Sequence, residues 1–336
     1  MVDDPKQPIP DNSERYLAMV ASQLGAIMAL PEQDFIKPPP QGTLRGVDVY
    51  SAPVLVHAMA RAVDLYVHTH RRLPNLVYPA SLTEKMLWSK FFTPIPMPSA
   101  GNKLAISRYL PPGYEDRIAI PTRVWTSTKP TLPANDEILP GAYFLKANHG
   151  SGFNLALTYP LSAPDRAAAQ ATATGWLASD YGMAWGEWWY VRFQRRVMLE
   201  AHLSETGADV PDWKFWVMNG RAHFAQVNLD RATNHRLGFY DRAYRHLRLA
   251  NRWYPKAEAQ PKPIAYDAMV EAAEAIGQRF SFARVDFYLP PSGQIILGEI
   301  TLCPDNAMTP FSSTEFDFRM GRQWDPRVIG PKKRAP

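Results

Sequence analysis

Cysteine is almost absent from this chain, since Cys303 is the single one among 336 residues. One thiol can form neither an intramolecular disulfide framework nor a cysteine-rich zinc site. The scarcity predicts a protein of a reducing compartment, with the cytoplasm as the default. Cys303 stands between Leu302 and Pro304 and is predicted to be a packed structural thiol rather than a nucleophile.

Long hydrophobic runs are also lacking. The most apolar stretch, residues 16–30, is interrupted by Ser22, Gln23 and Gly25 and is too short to cross a bilayer. The N-terminus has no basic segment ahead of an apolar run, so it does not resemble a signal peptide. We therefore expect a soluble protein with no membrane span.

Neither positive nor negative charge dominates the sequence, which also lacks an internal repeat and a low-complexity tract. The chain has 37 basic and 32 acidic residues, a net charge of +5, and 46% hydrophobic residues. This composition excludes a disordered or collagen-like chain, and the length suggests about two domains. The basic balance would suit an anionic partner, but dispersed charge equally describes a solubilising surface.

The first hundred residues are predicted to be mainly helical. Prolines at both ends of residues 1–40 surround a helix that should start near Ser13. Apolar residues recur at helical spacing over residues 52–72, and residues 76–80 should be extended. The sequence Ser81-Leu82-Thr83-Glu84 is a capping-box pattern that begins another helix. Because a proline-rich stretch follows at residues 94–98, residues 1–98 are predicted to be a helical N-terminal region.

Beyond this stretch, strand and helix patterns alternate. Asn219-Gly220 supplies both positive-φ positions of a type I′ turn and predicts a hairpin of residues 213–218 and 222–229. The other predicted strands are residues 143–147, 154–158 and 197–203 and the hairpin of residues 282–289 and 294–301, and the predicted helices are residues 103–110, 165–179 and 266–279.

One glycine-containing segment could bind an anion. Lys146 lies at a strand end, and Ala147-Asn148-His149-Gly150-Ser151-Gly152 follows, with small residues that let backbone N–H groups approach a phosphate. The glycine spacing matches neither the P-loop nor the dinucleotide-binding pattern. A simple glycine turn beside a solvated lysine is the alternative.

The second hairpin combines two acids with an arginine. If Leu289 pairs with Gln294, then Asp286 lies opposite Leu297 and Arg284 lies opposite Glu299, all on one face. Asp286 and Glu299 would then be diagonal neighbours able to converge on one or two divalent ions. The alternative is an Arg284–Glu299 pair on an exposed face.

The order of these motifs resembles the ATP-grasp superfamily. Four segments resemble its TupA-like branch, which is associated with teichuronopeptide and other surface-polysaccharide synthesis. The match covers about residues 70–325. The segments are Leu82-Thr83-Glu84-Lys85-Met86, Lys146 to Gly152, Asp230-Arg231-Ala232-Thr233-Asn234-His235-Arg236 and Gly298-Glu299-Ile300-Thr301.

The resemblance implies an α+β fold in which two subdomains clasp ATP. Residues 99–200 would be the N-terminal subdomain with the glycine loop, and residues 201–336 the C-terminal subdomain with the metal hairpin. ATP and Mg²⁺, with two ions expected, are the implied cofactors.

The resemblance also implies roles for individual residues. Lys103 and Lys146 would hold the ATP phosphates under a loop that contains His149, Gly150, Ser151 and Gly152. Glu200, His202 and Leu203 would form the adenine hinge, and Asp212, followed by Lys214, would bind ribose. Asp286, Glu299 and Thr301 would hold metal, although Thr301 stands where asparagine is usual. Arg284, Arg231 and Arg236 would contact phosphate or acyl phosphate.

Some residues keep a second interpretation. His149 could contact phosphate or serve as a turn histidine that bonds the backbone. Arg231 and Arg236 could belong to a solvated loop. Trp185, Trp188, Trp189 and Tyr190 could form a sugar platform, but core packing is favoured.

The resemblance predicts a carboxylate–amine ligase that acts through an acyl phosphate on a sugar acid, an amino-acid-bearing glycan or a natural product. Its substrates would be small-molecule or glycan carboxylates and amines. An ATP-grasp kinase is the alternative enzyme. A basic nucleic-acid- or glycan-binding module is the non-enzymatic one, although we expect no nucleic-acid partner. The sequence does not specify an oligomeric state.

Overall fold

The computed structural model describes residues 9–30, 39–204, 210–231, 233–251, 253–309 and 311–329. Part of the predicted proline-rich N-terminus, residues 1–8 and 31–38, lies outside these ranges. Within them, no helix has both the length and the apolar character needed to cross a membrane.

The predicted α+β class is confirmed, because helices and two larger sheets fill the described ranges. The strands are β1 (Thr43–Leu44), β2 (Ile95–Pro96), β3 (Ile118–Ala119), β4 (Arg123–Ser127), β5 (Gly141–Ala147), β6 (Asn154–Tyr159), β7 (Val197–Ala201), β8 (Asp212–Met218), β9 (Arg221–Leu229), β10 (Arg236–Asp241), β11 (Phe282–Tyr288) and β12 (Ile295–Thr301). The α-helices are α1 (Leu17–Met28), α2 (Gly46–Val49), α3 (Ala52–His70), α4 (Leu82–Phe92), α5 (Ala163–Ala178), α6 (Tyr266–Gly277) and α7 (Thr314–Gln323).

The N-terminal helices share one hydrophobic core with the larger sheet. Helix α4 begins at the predicted capping box, in which Ser81 Oγ accepts from the Glu84 N–H and the Glu84 carboxylate accepts from the Ser81 N–H. Phe91 of α4 is fully buried in the same cluster as Phe215 of β8 and Val285 of β11. The helical region is therefore packed onto the sheet that carries the two acids of the β11–β12 hairpin.

The larger sheet has six strands in the order β10-β9-β8-β11-β12-β3. Neighbouring strands are antiparallel, except that β12 and β3 are parallel. The predicted Asn219-Gly220 turn joins β8 to β9, with φ of 46° and 72° at these residues, as a type I′ turn requires. Helix α6 packs against β8, β9 and β11.

The smaller sheet has four antiparallel strands in the order β4-β7-β5-β6. Its hydrophobic core is a separate cluster, in which Ala169 and Ala173, one turn apart on α5, are fully buried with Leu145 and Leu199. Since β7 ends at Ala201, the strand predicted to reach residue 203 stops two residues earlier. The domain division at residues 98 and 200 remains a prediction.

Two local predictions are wrong, and a third is correct in position but differs in helix type. Residues 103–110 form only the 3₁₀ turn Ile106–Tyr109, because the Asn102 side chain accepts the Leu104 N–H at 3.0 Å and Pro111 disfavours helical geometry at Leu110. The helix predicted to start near Ser13 begins there as the 3₁₀ turn Ser13–Tyr16 and continues as α1, and the Asp11 side chain accepts the Ser13 N–H. Residues 76–80 contain no strand, because Asn75 Oδ1 accepts the N–H of Tyr78 and forms a turn.

Candidate functional site

The two acids of the β11–β12 hairpin lie directly opposite each other. Asp286 pairs with Glu299 and Arg284 pairs with Thr301, so these four residues share one face of the larger sheet. The predicted register, with Asp286 opposite Leu297 and Arg284 opposite Glu299, is wrong. Its prediction that Asp286 and Glu299 share a face is confirmed.

Two local features cause the different register. The β11–β12 ladder begins with Tyr288 and Ile296, one residue out of the predicted register, after a turn in which the Gly293 N–H donates to Pro290 O at 2.9 Å. A β-bulge then falls between Asp286 and Phe287, at the position opposite Gly298. A Cβ on Gly298 would lie 2.5 Å from the Tyr288 ring, so this bend of β12 depends on glycine.

Asp286 is buried and held by two cations. Arg284 Nε and Nη2 donate to its two oxygens at 2.8 and 2.7 Å, and Lys214 Nζ donates to Oδ2 at 2.7 Å. Burial would lower the pKa of Arg284, but the Asp286 carboxylate raises it above its usual value. Arg284 also donates to the Thr301 hydroxyl at 3.2 Å. A fixed positive charge therefore stands between two of the predicted metal ligands.

Asp212 extends this network along β8. Its Oδ2 lies 2.7 Å from Lys214 Nζ and 2.9 Å from Arg231 Nη1. Burial opposes ionisation of Asp212, but Lys214 and Arg231 lower its pKa below the usual value. Lys214 thus bridges Asp212 and Asp286. The structure brings Arg231 into the predicted site.

Arg236 occupies a different position from Arg231. It begins β10, pairs with Leu229 across the ladder and forms a salt bridge with Asp230. Its Nε is buried and has no hydrogen-bond partner among the described residues. No salt bridge within the described ranges joins Arg236 to Asp212 or Asp286, so of the two loop arginines Arg231 alone is part of the charged network.

Lys146 and Glu200 form the corresponding pair in the smaller sheet. Lys146 Nζ donates to Glu200 Oε2 at 2.5 Å, and Arg123 Nε donates to Oε1 at 3.4 Å. His202 follows β7 and stacks on Phe144, with ring centroids 5.1 Å apart. Leu203 is half-buried directly after His202, just before residues 205–209, which lie outside the described ranges.

The glycine loop joins β5 to β6 above this pair. Gly152 has a φ of 74°, and a Cβ on Gly150 would lie 2.7 Å from the Phe153 ring, so both positions require glycine. Ser151 and Gly152 are exposed, as residues that close over a ligand would be. His149 is buried, with Nε2 2.8 Å from Trp176 O and Nδ1 3.3 Å from Asn148 Oδ1. Because Nε2 can donate to the Trp176 carbonyl at 2.8 Å, this geometry matches the turn-histidine interpretation.

Lys103 connects the two halves of the site. Its Nζ donates to Gly150 O at 2.6 Å and lies 3.6 Å from Glu299 Oε1. Arg123 Nη2 donates to Lys103 O at 2.6 Å, which ties this segment to the smaller sheet. The glycine loop and the acid pair therefore meet at one lysine between the two sheets.

The pair Asp286 and Glu299 suits Mg²⁺ better than a metal ion that needs three or more protein ligands. The described ranges contain no group of three or more His, Cys, Asp or Glu side chains arranged as a metal site. Mg²⁺ typically takes one or two carboxylates and completes its shell with water and substrate phosphates. The paired oxygen donors of Asp286 and Glu299 fit this requirement.

Other sequence interpretations can be compared with the structure. Cys303 is 2% exposed, and burial raises the pKa of its thiol to about 12, so it is a packed thiol. Trp188, Trp189 and Tyr190 are buried, as core packing predicts, whereas Trp185 is 37% exposed. Sequence reasoning missed Arg123 and also Glu187, a buried acid among these aromatic residues. An acid within an aromatic run is an available signal for a buried charge.

The family model described as TupA-like ATP-grasp matches residues 101–324, and no curated protein matches the chain. One similar solved structure is the ATP-grasp ligase PsnB complexed with minimal precursor, Mg and ADP, with 14% identity over 60% of this chain and 50% of that chain and a TM-score of 0.32. A second is D-alanyl-alanine synthetase A from Vibrio cholerae, with 16% identity over 73% of this chain and 64% of that chain and a TM-score of 0.39. A third is D-alanine-D-alanine ligase from Helicobacter pylori, with 13% identity over 74% of this chain and 68% of that chain and a TM-score of 0.42. The chain thus covers half the length of the PsnB structure.

Proposed function

Because the chain belongs to the TupA-like ATP-grasp family, we propose that it is an ATP- and Mg²⁺-dependent ligase that joins a carboxylate to an amine. One observation carries the proposal: Lys103 contacts the glycine loop at Gly150 and also reaches Glu299. A loop suited to phosphate therefore lies next to a carboxylate suited to metal. This is the arrangement that phosphoryl transfer from ATP needs.

The phosphates of ATP would lie between the two sheets. Lys103 and Lys146 would bind them, with Gly150, Ser151 and Gly152 covering them through backbone N–H groups. Both lysines now contact protein oxygens, and phosphate oxygens offer the same charge-assisted interaction. In this proposal, His149 shapes the loop from its buried side.

The nucleoside would extend along the end of β7. Glu200, through its side chain or the neighbouring carbonyls, would accept the adenine amino group, while His202 and Leu203 line the ring. Asp212 would bind the ribose hydroxyls, and Lys214 would keep Asp212 ionised. Their position supports these roles, because β7 ends at Ala201 and β8 begins at Asp212.

Asp286 and Glu299 would hold Mg²⁺, with Thr301 contributing its hydroxyl or a bound water, and two ions are expected. Mg²⁺ supplies neutralisation of the phosphate charge and polarisation of the phosphoryl group. Arg284 holds the Asp286 carboxylate in a fixed orientation before ligands bind. The site thus needs little rearrangement to become electrostatically complementary to the reaction.

The proposed reaction has two steps. The substrate carboxylate attacks the γ-phosphorus, the bond to ADP breaks, and an acyl phosphate forms. The amine then attacks the acyl carbon, the C–O bond to phosphate breaks, and the amine loses a proton, which yields amide, ADP and phosphate. Arg284 would stabilise the charge that develops, with Arg231 and Arg236 at the edge of the site.

The acceptor is proposed to be a sugar acid, an amino-acid-bearing glycan or a natural product, in polysaccharide synthesis in the cytoplasm. The family resemblance supports this choice of substrate class. We test the proposal by a screen of carboxylates and primary amines for release of ADP and inorganic phosphate, with Glu299→Gln as the inactive comparison and Glu258→Gln, an exposed acid, as the matched control.

A ligase releases ADP and phosphate in equal amounts, and only when both substrates are present. ADP release with a stable phosphorylated product and no phosphate would instead identify a kinase. No ADP release with any pair, together with nucleic-acid or glycan binding that weakens steeply with salt, would indicate a binding module and contradict the proposal.

A further inference from the structure

Glu187 is a buried acid that the proposed chemistry leaves without a role. It is 6% exposed and follows Gly182 and Gly186, which have φ of 100° and 73°. A Cβ on Gly186 would lie 2.7 Å from the Phe91 ring, so glycine lets this segment approach α4 closely. The Glu187 N–H donates to Gly182 O at 2.7 Å, which fixes the backbone.

Among the described residues, the Glu187 carboxylate accepts no hydrogen bond and forms no salt bridge, although the charge of Lys90 acts on it. The buried Lys90 Nζ donates to Trp185 O at 2.9 Å and to Asn306 Oδ1 at 2.6 Å instead. Burial raises the pKa of Glu187 to about 7. An unpaired buried acid destabilises a fold, so it calls for a ligand that completes it.

Contacts around Glu187 place it near the glycine loop and the turn after β12. The ring of Tyr181, directly before Gly182, lies 5.5 Å from the ring of Phe153, which follows the glycine loop, and Lys90 joins Trp185 O to Asn306 Oδ1. The charges of Glu299 and Asp305 both raise its pKa, while Lys90 opposes them. Burial raises the pKa of Tyr181, with further contributions from Glu187 and Glu299, and hydrogen bonding with Ser151 acts in the opposite direction. One region therefore contains the glycine loop, a proposed metal ligand and the unpartnered carboxylate.

A strained turn forms another wall of this region. Asp305, Asn306 and Ala307 have φ of 48°, 56° and 66°, three consecutive left-handed residues without glycine. Lys90 holds the turn through Asn306, and Thr309 Oγ1 donates to Asp305 Oδ2 at 2.9 Å. Such strain persists only where the surrounding structure enforces it, and it concentrates at ligand sites.

We propose that Glu187 binds the amine substrate by accepting hydrogen bonds from its amino group, in the region between Tyr181 and the Asp305–Ala307 turn. The inference rests on the proposed ligase function and adds the residue that selects the amine. An amino group offers only donors and, when protonated, a positive charge. A carboxylate substrate would be repelled here by Glu187, Glu299 and Asp305.

The first test is binding without turnover. Glycinamide, ethanolamine and glucosamine serve as amine probes, and thermal unfolding is followed with Mg-ADP at constant ionic strength. We expect at least one probe to stabilise the wild type and Glu258→Gln and to lose about tenfold in affinity in Glu187→Gln. If no probe distinguishes Glu187→Gln from both other proteins, the proposal is overturned.

Stability without a ligand excludes a structural role. Because burial raises the pKa of Glu187 more than Lys90 lowers it, the ionised carboxylate costs stability, and Glu187→Gln should unfold at or above the wild-type temperature. A large loss of stability would show that Glu187 supports the fold, for example as the counter-charge of Lys90, and would contradict the proposal.

Steady-state kinetics separates this proposal from the ligase proposal. With a substrate pair from the screen, Glu187→Gln should raise KM for the amine about tenfold and leave KM for ATP and for the carboxylate within about twofold. Turnover with an unchanged amine KM would refute the role of Glu187 and keep the ligase. If an amine probe bound in a way that depends on Glu187 but no substrate pair were turned over, the role of Glu187 would be kept and the ligase proposal would be refuted.

Discussion

The two sheets hold their charged residues in different ways. In the six-stranded sheet, Asp212, Lys214, Asp286 and Arg284 form one continuous buried network, on strands whose core extends into the N-terminal helices. In the four-stranded sheet, Lys146 and Arg123 share the single acid Glu200. That sheet has a small core of its own.

This difference suggests a division of labour. Charges that are fixed before ligands arrive suit the place where charge develops during reaction, because reorganisation then costs little. A sheet with a separate and smaller core opens more readily, which suits the part that must admit and release nucleotide. The larger sheet would thus carry the chemistry and the smaller sheet would hold ATP.

The largest effect should come from Asp286→Asn. It removes the charge that Arg284 and Lys214 share, so the free energy of unfolding should fall by about 3–5 kcal/mol in urea denaturation. Glu299→Gln is the matched comparison, since the Glu299 side chain is 27% exposed and its lysine contact is 3.6 Å long. It should cost at most about 1 kcal/mol, although both variants lose ADP release. If both variants lost the same free energy of unfolding, this would contradict our distinction between the buried Asp286 network and the partly exposed Glu299 side chain.

Lys146→Ala tests the nucleotide side of the comparison. Mg-ATP at about 100 times its Kd should stabilise the wild type by about 2.7 kcal/mol, because the ligand binds only the native state. The variant should lose most of this stabilisation, as measured by thermal unfolding. The exposed Lys129 is the matched control, and Lys129→Ala should respond as the wild type does. An unchanged response of Lys146→Ala would place this residue outside the site.

The loss of folding stability in acid should depend on His223, which lies on β9 of the larger sheet. Burial, with Arg221 adding to it, lowers the pKa of His223 to about 4. The unfolded chain therefore binds a proton that the native state excludes, so stability present at neutral pH is lost as the pH falls below about 6.5, to a limit reached near pH 4. His223→Gln should reduce this loss by about 2 kcal/mol, allowing for partial exposure. Denaturation curves with the same pH dependence in both proteins would refute the assignment.

The smallest effect should come from the exposed Arg117–Glu271 pair beside the larger sheet. Their side chains are 47% and 57% exposed, and solvent screens such pairs strongly. Glu271→Gln should leave thermal unfolding and ADP release as in the wild type. A clear loss of stability or of ADP release in Glu271→Gln would show that exposed pairs contribute, and it would contradict our assignment of these effects to buried charges.

Sequence reasoning found what local chemistry determines. The Asn219-Gly220 turn and the Ser81–Glu84 capping box depend on residues within four positions, and both form as predicted. The register of the β11–β12 hairpin was wrong because the turn at residues 290–293 and the bulge at Gly298 each shift the pairing by one residue. The sequence therefore predicted the turn and the helix cap, but it did not predict which residues lie opposite each other in the hairpin.

The candidate site shows the same limit. The motifs identified Lys103, Lys146, Asp286 and Glu299, and the structure places Lys103 between the loop and Glu299. Glu187 escaped notice although an acid within an aromatic run signals a buried charge. Its neighbours on α4 and in the turn after β12 lie about a hundred residues away along the chain, and a single sequence does not show which distant residues meet.

The most direct test of the ligase account follows oxygen. With a substrate pair from the screen and ¹⁸O in both carboxylate oxygens, mass spectrometry of the released phosphate reports which bonds form and break. The account predicts that each phosphate carries one ¹⁸O, because the carboxylate oxygen bonds to phosphorus and leaves with it. Phosphate without ¹⁸O, at full amide yield, would contradict an acyl-phosphate ligase.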